Sequence, residues 1–365
     1  MPTVVFKFGG TSVNSAEKRE RIVELTRREI ERGAGVVIVV SAMGRRGEPY
    51  ATDTLLSLLD RNADKNVSDL LIGCGEIISA CVVADCFKAR GIKAFPMTAL
   101  QAGISTDGRF ADARITSIDT SMMRAKLDEG FVVVLTGFQG YSKTNELTTL
   151  GRGGSDTTAV AVGGALKASR VVIYSDVPGV AQADPRIVPQ ARFLKTIDFP
   201  SMLFLSAMGA KVLHPNAIRT AVQFQMPFEA KDIGSDEGGT RIGFDGEAVG
   251  GLYGMSILKG AKVYETAGDG PDPAELFDEG GNAVLLTDLD GKRKPLTEYP
   301  GCHTLAVCCC GLNPLAIGGI LEEKGFRCEA SFAKDGKAAF ILPEDAAEDA
   351  MKAVFAELEA RFMSE

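Results

Sequence analysis

Along the first two-thirds of the chain, apolar and polar positions fall into two alternating kinds of block. Short apolar, β-branched runs at residues 4–8, 36–40, 93–96, 131–135, 171–174 and 227–229 have the length and composition of buried strands. Between them lie stretches with apolar residues at helical spacing. Ile22, Leu25 and Ile30 mark one such face, after Asn14 or Ser15 as a helix cap, and further helices are predicted over 77–89 and 157–165. Strand and helix in alternation predict a mostly parallel sheet covered on both faces, an α/β fold. Glycines recur just after the strands, where such sheets bind ligands.

The pattern changes after a glycine-rich segment at 239–251. From residue 303 it reads strand (303–310), helix (313–324), strand (326–332), strand (337–342), helix (344–362). That order is a ferredoxin-like unit without its last strand. The preceding stretch, 251–299, offers strands at 261–265 and 283–287, a brief helix at 273–278, and loop-like segments at 269–272 and 288–294.

Composition narrows the function classes. Hydrophobic residues make up 45 % and charged residues 24 % of 365, which excludes a mainly disordered chain. A net charge of −8 argues against a nucleic-acid partner, which needs a basic footprint. A local group of Lys and Arg can still hold a small anion. No apolar run reaches the ~18–20 residues of a membrane span, the longest being 36–40, and no leader pattern precedes residue 4. The expectation is a cytoplasmic protein without membrane or nucleic-acid partners. The eight cysteines include no CxxC pair and are read as free thiols; two histidines, His214 and His303, give poor support to a Ser-His-Asp or His-rich metal site.

Five segments can carry chemistry. Lys7-Phe8-Gly9-Gly10-Thr11-Ser12 joins a strand end to a helix start. It is either a phosphate cradle, with Lys7 as a point charge, or a tight turn; it is neither a Walker A loop nor a dinucleotide fingerprint. Gly151-Arg152-Gly153-Gly154-Ser155-Asp156 repeats the idea, with an Arg fork suited to a carboxylate, against the alternative of a flexible loop and helix cap. Asp176, in a turn after a strand, is placed for a base, ribose or hydrated Mg²⁺. Gly73-Cys74-Gly75-Glu76 precedes a predicted helix, so Glu76 either meets a substrate ammonium or compensates a helix dipole. Lys211, in 209–215, is a snorkelling side chain or an anion ligand.

Taken in order, these segments resemble aspartokinases. Lys7-Phe8-Gly9-Gly10-Thr11-Ser12 is similar to that family's opening signature. The likeness continues through Val40-Ser41-Ala42-Met43-Gly44, Gly75-Glu76, 151–156, Asp176-Val177-Pro178-Gly179, Ala183-Asp184-Pro185-Arg186 and 209–215, collinear over residues 1 to about 243. Residues 41–56 look especially like the Gram-positive type. The resemblance implies an amino-acid-kinase three-layer sandwich with a mostly parallel sheet over 1–243, and a C-terminal ferredoxin-like (ACT-like) α+β domain over 251–365. It implies ATP-dependent phosphorylation of L-aspartate to 4-phospho-L-aspartate, the entry to lysine, threonine and methionine biosynthesis. ATP and Mg²⁺ are the implied cofactors, with no direct protein ligand for the metal, and a homodimer through the C-terminal domain is implied.

Residue by residue, the resemblance places Lys7 and Asp156 in catalysis. It places Ser41, Thr52, Glu76, Arg152, Gly153, Gly154 and Ser155 at the acceptor, and Lys7, Phe8, Gly9, Gly10, Thr11, Ser175, Asp176, Arg186 and Lys211 at the nucleotide. Two departures stand out. Ala181 replaces an aromatic residue common in the nucleotide region, and 251–299 is too short for the first of the family's two interleaved ACT domains, so feedback inhibition does not carry over. Alternatives are a superfamily kinase acting on a different acid and a non-catalytic regulatory subunit.

Overall fold

The computed structural model describes residues 1–266, 275–277, 283–288, 293–310 and 314–362. In chain order it begins β1 (Thr3–Phe8), α1 (Gly10–Val13), α2 (Ala16–Glu31), β2 (Gly35–Val40), α3 (Thr52–Leu56), α4 (Lys65–Lys88), β3 (Ala94–Met97), β4 (Ile104–Thr106), β5 (Ile115–Ile118) and α5 (Ser121–Asp128). It continues β6 (Val132–Thr136), β7 (Gln139–Tyr141), β8 (Leu147–Thr149), α6 (Gly154–Leu166) and β9 (Arg170–Ser175). Then come β10 (Thr196–Asp198), α7 (Phe199–Ala207), α8 (Pro215–Gln223), β11 (Phe228–Asp232) and β12 (Thr240–Gly243). Two units result: Met1–Pro178 with Asn216–Gly239, and Gly179–Pro215 with Thr240–Glu365.

In the first unit, β11, β9, β1, β2, β6 and β3 lie side by side, every pair parallel. The β-branched runs explain why: β2 (GVVIVV) is buried along its whole length, as a strand covered on both faces must be. Val4, Phe6 and Phe8 point to one face, where they pack with Ile22 and Val23 of α2 and Val83 and Phe87 of α4. The Phe8 and Tyr174 rings stack there, 5.0 Å between centroids. The two-residue repeat sends Lys7 to the opposite face, that of α6. Ser15 is the α2 cap, its hydroxyl accepting from the Lys18 amide at 3.2 Å. Ile30, expected on the buried side of α2, is 38 % exposed at the helix end. A small sheet, β5-β4-β7-β8, also belongs to this unit and was not expected from the pattern, because its strands have only three or four residues.

Helix α4 corrects two expectations. The helix predicted from residue 77 begins at Lys65, so Gly73 and Gly75 sit in its interior rather than ahead of it. It is also long and apolar enough to cross a membrane by length and composition, although half of its most apolar stretch is buried in the unit.

The second unit holds the parallel pair β10–β12, α7, and an antiparallel sheet. That sheet uses β13 (Leu252–Leu258), β14 (Ala261–Glu265), β15 (Glu275–Phe277), β16 (Ala283–Leu285), β17 (Pro295–Tyr299) and β18 (Cys302–Cys309). After α9 (Pro314–Glu323) it adds β19 (Ala330–Lys334) and β20 (Lys337–Pro343), before α10 (Ala347–Phe362). The strand order is β13-β18-β20-β19-β15-β16-β14-β17. The β-α-β-β-α order is present, with its middle strand starting at Ala330 rather than 326. The missing last strand has a substitute: β13, from the N-terminal side, pairs antiparallel with β18 where that strand would lie. Within the span expected as a brief helix, 273–278, the described residues Glu275–Phe277 are a strand; the rest of it, and the loop at 269–272, lie outside the described residues. Cys308 and Cys309 are buried, and burial pushes both thiols up to about 12, as befits inert core thiols.

Candidate active site

Lys7 sits one residue from the end of β1, and its ammonium lies 2.7 Å from Asp156 Oδ1 in the first turn of α6. The two side chains are only 12 % and 14 % exposed. The contact is a close ion pair in which Asp156 Oδ1 makes no aligned hydrogen bond. Helix α6 comes this close because Gly163 faces Val171: a Cβ on Gly163 would stand 2.3 Å from Val171 Cγ2.

The loop after β1 is fixed against the loop after β2. The Gly44 amide donates to the Gly10 carbonyl at 3.0 Å, and the Ser41 amide to the Phe8 carbonyl at 3.1 Å. A Cβ on Gly10 would lie 2.4 Å from the Ala42 carbonyl oxygen and 2.8 Å from that of Gly44. Both are backbone atoms and cannot swing aside. Gly10→Ala is therefore expected to separate the two loops and lower the melting temperature. A thermal melt checks this; an unchanged melting temperature would contradict it.

On the other side of that loop stands Glu76. Its Oε1 accepts from the Ala42 amide at 2.9 Å, while its Oε2 is buried without a hydrogen-bond partner. Gly75 makes the approach possible, since a Cβ there would meet Ala42 Cβ at 2.7 Å and the Tyr50 carbonyl at 2.9 Å. Burial pushes the Glu76 carboxyl up to about 8, against the pull of the Ala42 amide. The dipole-compensation reading of Glu76 fails, because the residue lies in mid-helix. The Ser41 hydroxyl donates to the Ser155 hydroxyl at 2.9 Å, tying the β2 loop to the start of α6. Gly151 and Gly153 adopt positive φ (69° and 72°), so the 151–154 turn needs glycine there. Arg152 projects from that turn, exposed. Thr52 begins α3, whereas the Thr54 hydroxyl is occupied by the Gly47 amide at 3.0 Å.

Ser175 ends β9, and exposed Asp176 follows it, paired with Arg45 at 2.9 Å. Arg186 and Lys211 belong to the second unit. There Arg186 clasps Asp184, and the Asp184 carboxyl is held below its ordinary range by Arg186, with a smaller contribution from Lys211. The first unit thus gathers Lys7, Gly9, Gly10, Ser41, Glu76, Ser155 and Asp156; the second brings Arg186 close to Asp184.

Three residues escaped the reading of the sequence. Asp69, 1 % exposed, accepts from the Ala111 and Thr149 amides and the Thr149 hydroxyl, and so fixes the strand leading to Arg152. Gln139 is fully buried against α4. Arg45 bridges to Asp176. The available signal was the spacing of Asp69 and Glu76, two helical turns apart on one face of an apolar segment.

Against known proteins, the model of the amino acid kinase family matches residues 2–228. Aspartokinase of Geobacillus stearothermophilus is 44 % identical over 245 residues, which are 66 % of this chain and 59 % of that protein. Aspartokinase 2 of Bacillus subtilis (strain 168) gives the same figures. The chain therefore spans 59 % of the length of these curated relatives. Among solved structures, E. coli aspartokinase III in complex with aspartate and ADP (R-state) superposes with a TM-score of 0.75. Its identity is 21 %, and the match covers 98 % of this chain and 99 % of that one. Clostridium acetobutylicum aspartate kinase gives a TM-score of 0.68 at 21 % identity, over 97 % of this chain and 99 % of that one. At such identity the likeness is one of fold.

Proposed function

The chain belongs to the amino acid kinase family, and we propose that it transfers the γ-phosphoryl group of ATP to the side-chain carboxylate of L-aspartate, giving 4-phospho-L-aspartate and ADP. The observation that carries this reading is the pairing of a nearly buried cation, Lys7, with an orphaned buried carboxyl oxygen, Glu76 Oε2. They lie on either side of one pair of loops. The first suits a phosphate and the second an ammonium. The relatives named aspartokinase, at 44 % identity over 245 residues, support the same choice.

The chemistry needs little from the protein beyond placement. An aspartate carboxylate, with a pKa of about 3.9, is already ionised at pH 7 and needs no general base. Lys7 and the amides of the Gly9–Gly10 turn stabilise charge on the moving phosphoryl group, and Asp156 holds the Lys7 ammonium in place. Glu76 takes the α-ammonium, Arg152 the α-carboxylate, and the Ser41–Ser155 hydroxyls line the acceptor between them. Ser175 and Asp176 are the nucleotide contacts of the first unit; Arg186 and Lys211 are candidates by their place in the sequence. The Mg²⁺ that accompanies ATP would supply charge neutralisation at the phosphate oxygens.

In this reading residues 1–243 carry catalysis, and 251–365 form a reduced ACT-like regulatory and dimerisation domain of a cytoplasmic enzyme. The edge strand β17, with Leu296 61 % exposed, supports pairing of that sheet with a second copy. Arg152→Ala tests the acceptor assignment. The KM for L-aspartate is expected to rise by about tenfold or more with kcat little changed, as for the loss of one charge-assisted hydrogen-bonded pair. An unchanged KM would remove Arg152 from the acceptor site.

A further inference from the structure

Helix α4 carries two buried carboxyl groups, Asp69 and Glu76, two turns apart on one face and so about 10 Å apart along the axis. Glu76 grips the Ala42 amide. Asp69 grips two other segments at once. Its Oδ2 accepts from the Ala111 amide at 2.9 Å and from the Thr149 amide at 2.8 Å, and its Oδ1 accepts from the Thr149 hydroxyl at 2.8 Å. One carboxyl group thus joins α4 to the end of β8 and to the 107–114 loop. Its burial is costly, and the cost is offset only because both oxygens are used.

Both segments converge on the 151–154 turn. The Ala113 amide donates to the Thr149 carbonyl at 2.9 Å. The loop also lies against Gly151, where a Cβ would stand 3.3 Å from the Ala111 carbonyl oxygen and 3.2 Å from Asp112 Oδ1. Ala111 itself has φ 71°, in the left-handed region that a non-glycine residue rarely adopts. Such backbone persists only where its surroundings impose it, and the group that takes the Ala111 amide is Asp69. Without that acceptor the loop can relax, and its carbonyl leaves Gly151, the neighbour of Arg152.

We propose that Asp69 is a positioning residue, which fixes the 151–154 turn, and with it Arg152, to the helix that carries Glu76. The two charged ends of an α-amino acid have a fixed separation, so the groups that take them must be held at a fixed separation too. A single helix that carries one of them and anchors the turn of the other does this. The roles of Glu76 and Arg152 rest on the function proposed above; the hold on the turn does not.

The test compares Asp69→Leu with Asp69→Asn, whose amide oxygen can take both backbone donors while its nitrogen donates to the Thr149 hydroxyl. In Asp69→Leu the KM for L-aspartate is expected to rise about fivefold, with kcat and the KM for ATP little changed, and Asp69→Asn is expected to restore it. Added to Arg152→Ala, Asp69→Leu is expected to raise that KM no further, since nothing is left to position. Thr149→Val removes one donor at constant volume and is expected to give the same pattern at about twofold, should Asp69→Leu fail to fold. Independently of activity, the Gly154 amide donates to the Gly151 carbonyl at 3.1 Å. Its hydrogen exchange, measured relative to the amides of β2, is expected to speed up about tenfold in Asp69→Leu and in the same direction in Thr149→Val. Unchanged relative exchange overturns the proposal. So does an unmoved KM for L-aspartate, a rise shared equally by the KM for ATP, or losses that add in the double variant. Faster exchange at Gly154 with no aspartate turnover even in the parent chain leaves the hold on the turn standing and overturns the proposed function instead.

Discussion

Lys7→Ala is expected to lower kcat by about a thousandfold or more, the scale of losing a preorganised charge from phosphoryl or oxyanion stabilisation. The reason lies in the geometry around it. Lys7 is the cation on the α6 face of the central strand, held by Asp156 at 2.7 Å. Removing it has two consequences. The moving phosphoryl group loses its neighbouring positive charge, and Asp156 is left facing the same region as an uncompensated negative one. The second effect opposes nucleotide binding as well as turnover. Folding should suffer less. The pair keeps 12–14 % exposure, so water can solvate what remains, and the loss of stability should stay below the ~3–5 kcal/mol of a fully buried pair broken on one side. Steady-state kinetics beside a thermal melt checks both halves. A near-normal kcat would take Lys7 out of the mechanism.

The second large effect concerns pH. Burial holds the Glu76 carboxyl near 8 in the folded chain, against about 4.3 in an unfolded one. An acceptor's ammonium needs the ionised form. Below pH 8 binding must therefore expel a proton, and the KM for L-aspartate is expected to fall by about tenfold per unit as pH rises from 6 to 8, then level off. Stability runs the other way. Between those two values the folded chain binds more protons than the unfolded one, so raising the pH through this window removes stability. Glu76→Gln should thus raise the melting temperature at pH 9 relative to the parent while leaving it nearly unchanged at pH 4. In the same variant the KM slope with pH should vanish and the KM at pH 8 should rise about a hundredfold, as for a lost hydrogen bond to a charged group. A KM without pH dependence in the parent would show that Glu76 does not meet the ammonium.

Much of this fold was legible because its strongest signals are local. The all-apolar β2 and the run Val4-Val5-Phe6-Lys7-Phe8 declare parallel strands, and the lysine in the second run is conspicuous for being polar at all. The glycine turns at 9–10 and 151–154 are visible for the same reason: each is forced by a close approach or a positive φ. What failed to show was set by tertiary contact. Gly73 and Gly75 look like a helix break, yet they lie inside α4, where they admit Gln139 and the Ala42–Tyr50 loop. The strands of the small sheet are too short to carry a period of two. The substitute strand β13 stands before, not after, the unit it completes, so linear order hides its place in the sheet. Gln139 resembles any polar residue in a turn-rich segment until its distance to Gly73 is known.

The central claim is an acyl phosphate on aspartate. It is tested most directly by incubating the chain with MgATP and hydroxylamine and measuring hydroxamate, with L-aspartate beside L-glutamate, N-acetylglutamate and no acceptor. Hydroxamate with L-aspartate, and little or none with the others, is the expected result. Hydroxamate with another acid but none with aspartate, or none with any acceptor from a chain that binds ATP, would contradict it.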